Sequence, residues 1–384
     1  MTNGLNEEQL ERIKQFIDEK IEAVRNKQNQ AATRPDNYTI TEKALLKEKR
    51  LQLELGQRLF LYNLEGSNYK VRNARTFFGE ILEAKLSYKL GENARIKGGL
   101  VFILPFGEND FDLRWGDYYR DFREGDHSKK KVNLVQPYIQ LRYDYQNFGF
   151  IFGDLETPHD FHKLIEYDVY EFLRPTEKGV QILYDNHLIS QDLFINWREK
   201  NTPDKHERFN IGSISKLKWK EGSLALQVLY VHRGGVEFPQ DPVVFENISA
   251  ALVFDHSTPF KWSFIDRVGI ELVSLYTNDL PVGDGSRSRV DGFGALGSLY
   301  VTSGNWLLKS GYWMGTDNVL AEEGIPFSRE ERFVYSELIF NKELKYNISA
   351  RVLLTGGLFG RNLKDAFFDQ KLVISWRHDF GLGF

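Results

Sequence analysis

Phe78-Gly79-Glu80-Ile81-Leu82-Glu83-Ala84-Lys85-Leu86-Ser87-Tyr88-Lys89-Leu90-Gly91-Glu92-Asn93-Ala94-Arg95-Ile96-Lys97-Gly98-Gly99-Leu100-Val101-Phe102-Ile103-Leu104 decides the fold. Phe78, Leu82, Ala84, Leu86, Tyr88 and Leu90 share one parity, and Ala94, Ile96, Gly98, Leu100, Phe102 and Leu104 share the other run's. A period of two puts one set of side chains on one face of a strand. Gly91-Glu92-Asn93 between the runs is a tight polar turn, so the pair reads as a β-hairpin.

The same alternation begins at Leu51, Leu53, Leu55, Leu59 and Leu61 and recurs to the C-terminus. It gives about sixteen strands, most of about 9 to 13 residues, the length of a tilted membrane-spanning strand rather than the shorter strand of an ordinary globular sheet. The connections alternate as well. Short ones fall at Gly91–Asn93, Gln146–Asn147, Asp185–His187, Glu221–Gly222, Ser303–Asn305 and Lys342–Tyr346. Long ones fall between them, among them Gly107–Lys131, Thr157–Lys178 and Thr316–Glu331. One medium connection, Asp255–Ser263, stands where a short turn is expected. Sorted loops are the pattern of an up-and-down barrel with short periplasmic turns and long outer loops.

Composition narrows the classes. The 384 residues carry a net charge of −4, and Phe, Tyr and Trp number 29, 18 and 7. Mean hydropathy is −0.43 and the pI about 6.1, and no run of about 20 apolar residues makes a spanning helix. Nucleic-acid binding has no basic field to support it. The absence of cysteine excludes disulfides, thiolate metal sites and Cys nucleophiles. Leu10, Ile13, Ile17, Ile21 and Val24 repeat at helical spacing within Asn6–Lys27, and Gln28–Asn37 reads as a linker. The domains expected are therefore a helical periplasmic extension over 1–37 and a transmembrane β-barrel over 38–384.

Three motifs invite chemistry. Gly292-Phe293-Gly294-Ala295-Leu296-Gly297 matches G-x-G-x-x-G, but it continues as strand where a nucleotide site needs a helix. These glycines read as small residues of a barrel wall. His159 and His162, with Glu156 and Asp160, have a spacing a metal could use, yet they read as groups of a solvated outer loop. No Gly-x-Ser-x-Gly nucleophile turn occurs. The expectation is no enzyme, no cofactor and no metal.

The chain ends Trp376-Arg377-His378-Asp379-Phe380-Gly381-Leu382-Gly383-Phe384. Here it resembles bacterial outer-membrane β-barrel proteins, whose last strand ends in an aromatic residue read by the barrel-assembly machinery. The resemblance covers about Leu51–Phe384 and implies an assembly signal at Trp376 and Phe384. Gly153-Asp154-Leu155-Glu156-Thr157-Pro158 and, later, Gly179-Val180-Gln181 resemble the Gly-x-x-x-x-Pro … Gly-x-Gln pattern of phosphate-selective porins. Porins narrow their pore with a long early loop. The resemblance implies that role for Gly107–Lys131, with Asp110, Asp112, Arg114, Asp117, Arg120 and Arg123, and for Thr157–Lys178 second. It also implies outer-membrane lipid, small hydrophilic solutes or anions, and further copies in a homotrimer as partners.

All-β architecture with a closed antiparallel barrel puts the second parity in the lumen. Lys97, Arg142, Arg198, Lys216, Lys218, Arg351 and Arg377 are the cations expected to line it. Counted over all strands, the lining is about two to one basic, so mild anion preference is expected. The functional expectation is a porin for passive diffusion in the bacterial outer membrane. The alternatives are a structural or adhesion barrel with a plugged lumen, and a soluble β-rich carbohydrate-active protein.

Overall fold

The structure, a computed structural model, describes residues 50–66, 75–106, 135–167, 170–201, 207–234, 245–262, 264–280 and 289–382. The strands run in chain order as β1 (Leu51–Gly66), β2 (Arg75–Lys89), β3 (Ala94–Pro105), β4 (Val135–Tyr145), β5 (Phe148–Asp154), β6 (Lys178–Asp185), β7 (Ile189–Glu199) and β8 (Glu207–Trp219). They continue as β9 (Gly222–Gly234), β10 (Phe245–Trp262), β11 (Ile265–Leu280), β12 (Val290–Ser303), β13 (Trp306–Gly315), β14 (Arg332–Glu343), β15 (Ile348–Phe359) and β16 (Asp365–Leu382). Each pairs antiparallel with the next, and β16 pairs with β1 from Leu51↔Leu382 to Gly66↔Phe367. The sheet therefore closes with no free edge, as hydrocarbon requires of every backbone N–H and C=O. This is the expected sixteen-stranded antiparallel barrel. The helix expected within Asn6–Lys27, its linker and Phe384 lie outside the described residues.

The medium connection at Asp255–Ser263 disappears. β10 continues through Pro259 with a register shift to Trp262, which pairs with Ile265 of β11. A short turn follows, so the loop alternation has no exception. The proline marks the irregularity because it cannot donate to the ladder.

Successive residues alternate between wall faces. Ile139 is 63% exposed between buried Tyr138 and Gln140, and Leu299 is 66% exposed between buried Ser298 and Tyr300. An apolar outer face of this extent is stable against lipid tails and a liability in water.

The lumen differs from the uniformly polar one expected. Toward the short turns its lining is polar and charged, with Glu54, Arg58, Glu83, Lys85, Lys97 and Arg142. Toward the long connections the inward residues of β1 to β3 and β13 to β16 are mostly apolar, with Phe60, Tyr62, Leu64, Ile81, Val101, Ile103, Trp313, Phe333, Phe359 and Phe367, while those of β7 to β11 include the buried Arg208, Asn210, Asn247 and Asp279. That tier is not left to water. Residues 155–167 and 170–177, between β5 and β6, and residues 316–331, between β13 and β14, turn inward. Leu164, Ile165, Tyr167 and Phe172 from the first, and Val319, Ile325 and Phe327 from the second, join the wall in one buried core. We call the first the shelf and the second the strap.

Candidate functional site

The shelf is rooted by the residues of the Gly-x-x-x-x-Pro … Gly-x-Gln pattern. Gly153 has φ +99, and a Cβ there would lie 2.2 Å from the Ile139 carbonyl. A Cβ on Gly179 would lie 1.8 Å from the Ile195 carbonyl. Both positions need glycine for close backbone approach. Asp154 is buried and accepts from Lys178 Nζ at 2.7 Å. Gln181 Oε1 accepts from the Glu156 N–H at 2.9 Å, and its amide donates to Asp192 at 2.9 Å. Sequence alone marked this pattern only as a resemblance; its work here is to turn the chain into the lumen.

From that root the shelf follows the inner circumference of the barrel. His159 Nδ1 meets Asp192 of β7 at 2.8 Å, and the ring stacks on Phe194. Asp160 pairs with Lys216 of β8. The His162 N–H donates to Gln227 of β9 at 2.8 Å, and its Nε2 lies 3.3 Å from Glu271 of β11. Lys163 reaches Glu337 of β14 at 3.0 Å. Tyr167 donates to Asp369 of β16 and shares a 2.8 Å hydrogen bond with Tyr62 of β1. Glu171, in the helical turn Tyr170–Leu173, faces Arg58 of β1 at 3.4 Å, and Thr176 donates to Gln136 of β4. One loop thus laces eight strands of the wall. His159 is a buried ion-pair partner and His162 a hydrogen-bonding one in this lacing, which corrects the expectation that they sit in a solvated outer loop. Their neighbours are wall carboxylates far away in sequence, and that placement is invisible to local spacing.

Burial and neighbours set the shelf's titrations. Burial alone would lower His159, but Asp192 and Glu177 outweigh it and push it up to about 10. Burial pushes Glu166 up to about 8, with Glu177 and Glu323 adding to the shift. Burial, with Lys309 and Lys163 nearby, lowers His162 against the pull of Glu271. A histidine with a raised pKa stabilises the fold below its ordinary value and loses that contribution as pH rises through the folded value. A carboxyl with a raised pKa favours the folded state while protonated, so ionisation at rising pH costs stability. The Glu166 loss runs from about pH 4.5 to 8 and the His159 loss from about pH 6.5 to 10, so both act as pH rises from 7 to 8 and His159 alone continues to 10. His162 has the opposite sense and costs stability only as pH falls below its ordinary range. Conductance in lipid bilayers is therefore expected to rise from pH 7 to 10, and a flat profile would contradict this account of the shelf.

The structure places each expected lining cation on the lumen parity, but almost always beside an acid. Arg142 pairs with Asp144 at 2.8 Å and with Glu156. Arg198 reaches Glu323 at 2.6 Å. Lys218 pairs with Asp185, Lys97 with Glu54 at 3.0 Å, and Arg377 with the same Glu54 at 3.2 Å. Arg351, also partnered, sits on β15 two residues before the buried Leu353. Lumen acids that the strand count left out, Asp154, Asp279 and Asp369, are all buried there. Asp279 and Asp369 were missed because β11 and β16 run further than the alternation showed, whereas Asp154 lay within the expected strand and was left out of the count. Trp376 lies on the outward parity of β16, stacked on His378. Asp110, Asp112, Arg114, Asp117, Arg120 and Arg123 lie outside the described residues; among the described residues, the loop within the lumen is Thr157–Lys178, the second candidate. Gly292 and Gly294 lie in β12, where their missing side chains leave room for the strap backbone at Asn318 and Val319 and for the Trp313 ring.

A closed sixteen-stranded barrel with an apolar outer face, a charged lumen and inward loops defines an outer-membrane β-barrel of porin-like architecture. OpdL of Pseudomonas aeruginosa shares the fold at a TM-score of 0.50 and 8% identity, over 86% of this chain and 99% of that one. An outer membrane protein of Vibrio cholerae, OmpT lacking loop L8, shares it at 0.50 and 8%, over 86% and 100%. Among sequence families, that of lipid A 3'-O-deacylase-type proteins matches residues 40–364, and the chain belongs to it. No curated protein sequence matches the chain.

Proposed function

We propose that the chain is an outer-membrane diffusion channel for small hydrophilic solutes, narrowed by the shelf. The observation that carries this reading is the charged lower lumen beneath a loop whose own Asp160, Lys163 and Glu171 face charged wall residues. Selection in such a pore comes from width and charge alone. The lining count favours mild anion preference, and the pairing of almost every cation keeps it small. Lys216 and Lys218 lie on adjacent lumen positions of β8, and their acidic partners Asp160 and Asp185 are largely exposed, so they are the residues through which we take the preference to be exerted. Reconstitution in planar bilayers should give stepwise conductance with a chloride-to-potassium permeability ratio modestly above unity. Replacing Lys216 and Lys218 together by Gln should lower it. Absence of any conductance would favour the plugged structural or adhesion barrel.

The root pattern supports a relationship with phosphate-selective porins. β5 and β6, with 7 and 8 residues, are shorter than the roughly 9 to 11 residues that span a bilayer. A low wall of this kind supports a neighbouring copy on that side, in keeping with a homotrimer. Phe384 is the residue we assign to recognition by the barrel-assembly machinery.

Family membership supports a second reading, removal of an acyl chain from lipid A. Among the described residues no Ser or Thr hydroxyl is hydrogen-bonded to a histidine. His159 and His162 spend ring nitrogens on Asp192, Glu177 and Glu271, so a nucleophile and base would come from elsewhere. Mass spectrometry of lipid A from expressing cells decides the matter: a missing 3'-linked acyl chain would establish hydrolysis, and unchanged lipid A would exclude it.

A further inference from the structure

The strap is long enough to cross the lumen, and Glu323 ion-pairs it to the wall on the far side. It leaves the wall between β13 and β14, yet Glu323 meets Arg198 of β7 at 2.6 Å and Arg208 of β8 at 2.9 Å. Five strands, β8 to β12, lie between β7 and β13 in chain and sheet order. A third guanidinium, Arg174 of the shelf, lies 2.7 Å from the other carboxylate oxygen. Glu323 is wholly buried. Strap and shelf also share backbone hydrogen bonds: Tyr167 N–H donates to the Glu323 carbonyl at 2.8 Å, and Ile325 N–H to the Lys163 carbonyl at 2.9 Å. Between them Gly324 comes so close to the shelf that a Cβ would lie 2.2 Å from the Leu164 carbonyl. Asn247 of β10 completes the seat, donating to the Leu320 carbonyl at 2.7 Å and accepting from the Glu322 N–H at 3.2 Å.

A carboxylate shared by three arginines from three elements is a concentrated anchor. All three guanidiniums converge on this one carboxylate, and Arg198 also lies 3.9 Å from Glu177. Removing one partner of a buried ion pair is strongly destabilising, so loss of the Glu323 charge is felt by all three elements at once. The strap's other contacts include buried apolar side chains, hydrogen bonds and the pair of Glu331 with Arg361 at 3.6 Å, while Glu323 is the group that ion-pairs it to β7 and β8. A docked and a released arrangement of such an inward loop are the two states of one element.

We propose that Glu323 is the latch of a gate: the strap, docked on the shelf, closes the long-loop mouth of the barrel, and release of Glu323 from Arg174, Arg198 and Arg208 opens it. This rests on the channel reading only for its consequence in conductance, not for the latch itself. The test uses the full chain with Val319→Cys, a buried strap position in a protein without other cysteines, in folded barrels reconstituted in lipid. A small water-soluble thiol reagent should label it slowly, and several-fold faster once Glu323→Gln is added. Single-channel steps should grow in Glu323→Gln alone. Arg174→Gln, which spares the wall, should change both readings in the same direction and serves if Glu323→Gln fails to fold. Faster labelling with silent channels would uphold the latch and refute diffusion. Conducting channels whose labelling and step size are unchanged in both variants would overturn the latch and leave diffusion standing.

Discussion

Excising Phe161–Arg174 and bridging the ends with a short glycine-serine segment is expected to raise single-channel conductance several-fold. Sixteen strands enclose a lumen wide enough for water, and the shelf is the element that follows its inner circumference from β7 to β4. The excision deletes Lys163, Tyr167 and Glu171, the groups that project from the shelf toward β14, β16 and β1. It also uncovers Phe60, Tyr62 and Leu64, so the variant should be less stable than the parent while remaining closed, because closure is carried by wall hydrogen bonds. Heat-modifiable migration reports whether the barrel is intact. Intact barrels with the parent's conductance would show that the shelf is not the narrowest point. Tyr167→Ala is the milder version, losing the hydrogen bonds to Tyr62 and Asp369, and should raise conductance less.

The architecture was legible because each strand writes its two faces in alternate residues and each turn writes its length. Leu86 and Ile96 could be assigned outward from parity alone, and closure followed from the loop alternation. The inward loops were not legible in the same way. A loop entering a lumen has no period, and what holds it is a set of partners hundreds of residues away, as in Lys163 with Glu337. One signal was present. In Leu59-Phe60-Leu61-Tyr62 and Val101-Phe102-Ile103-Leu104 both parities are apolar, which a water-filled lumen does not need. Such runs mark the tier where the wall faces protein inside and lipid outside. They recur at the loop ends of several strands, and they predict a plugged upper lumen even without knowing which loop fills it.

The pairing of the lining charges was not legible for a related reason. Parity places a side chain on the lumen side, but it carries no information about its neighbour across the ladder or across the lumen. Lys97 and Arg377 converge on Glu54 from β3 and β16, so two cations counted toward an anion field share one acid. Field strength in a pore depends on unpaired charge, and the pairing is a property of closure that no single strand displays.

Phe327→Ala is expected to cost about 3–5 kcal/mol of stability, the range for truncating a buried aromatic side chain. Phe327 lies in the short helical turn Pro326–Arg329 of the strap and is wholly buried. Its ring stacks on Phe367 of β16 at 3.8 Å between centroids and approaches Phe359 of β15 at 5.3 Å. The cavity left by its removal would be enclosed by wall and strap, where backbone closure prevents collapse, so the cost should fall toward the upper end. Leu299→Ala on the outer face is the contrast. That side chain is 66% exposed, and lipid tails replace most of what it loses, because apolar side chains and acyl chains are nearly equivalent packing partners. Equilibrium unfolding in guanidinium from lipid vesicles should therefore separate the two substitutions sharply. A Phe327→Ala barrel as stable as the Leu299→Ala one would mean that the strap contributes no packing energy and that the apolar tier of the lumen is held by the wall alone.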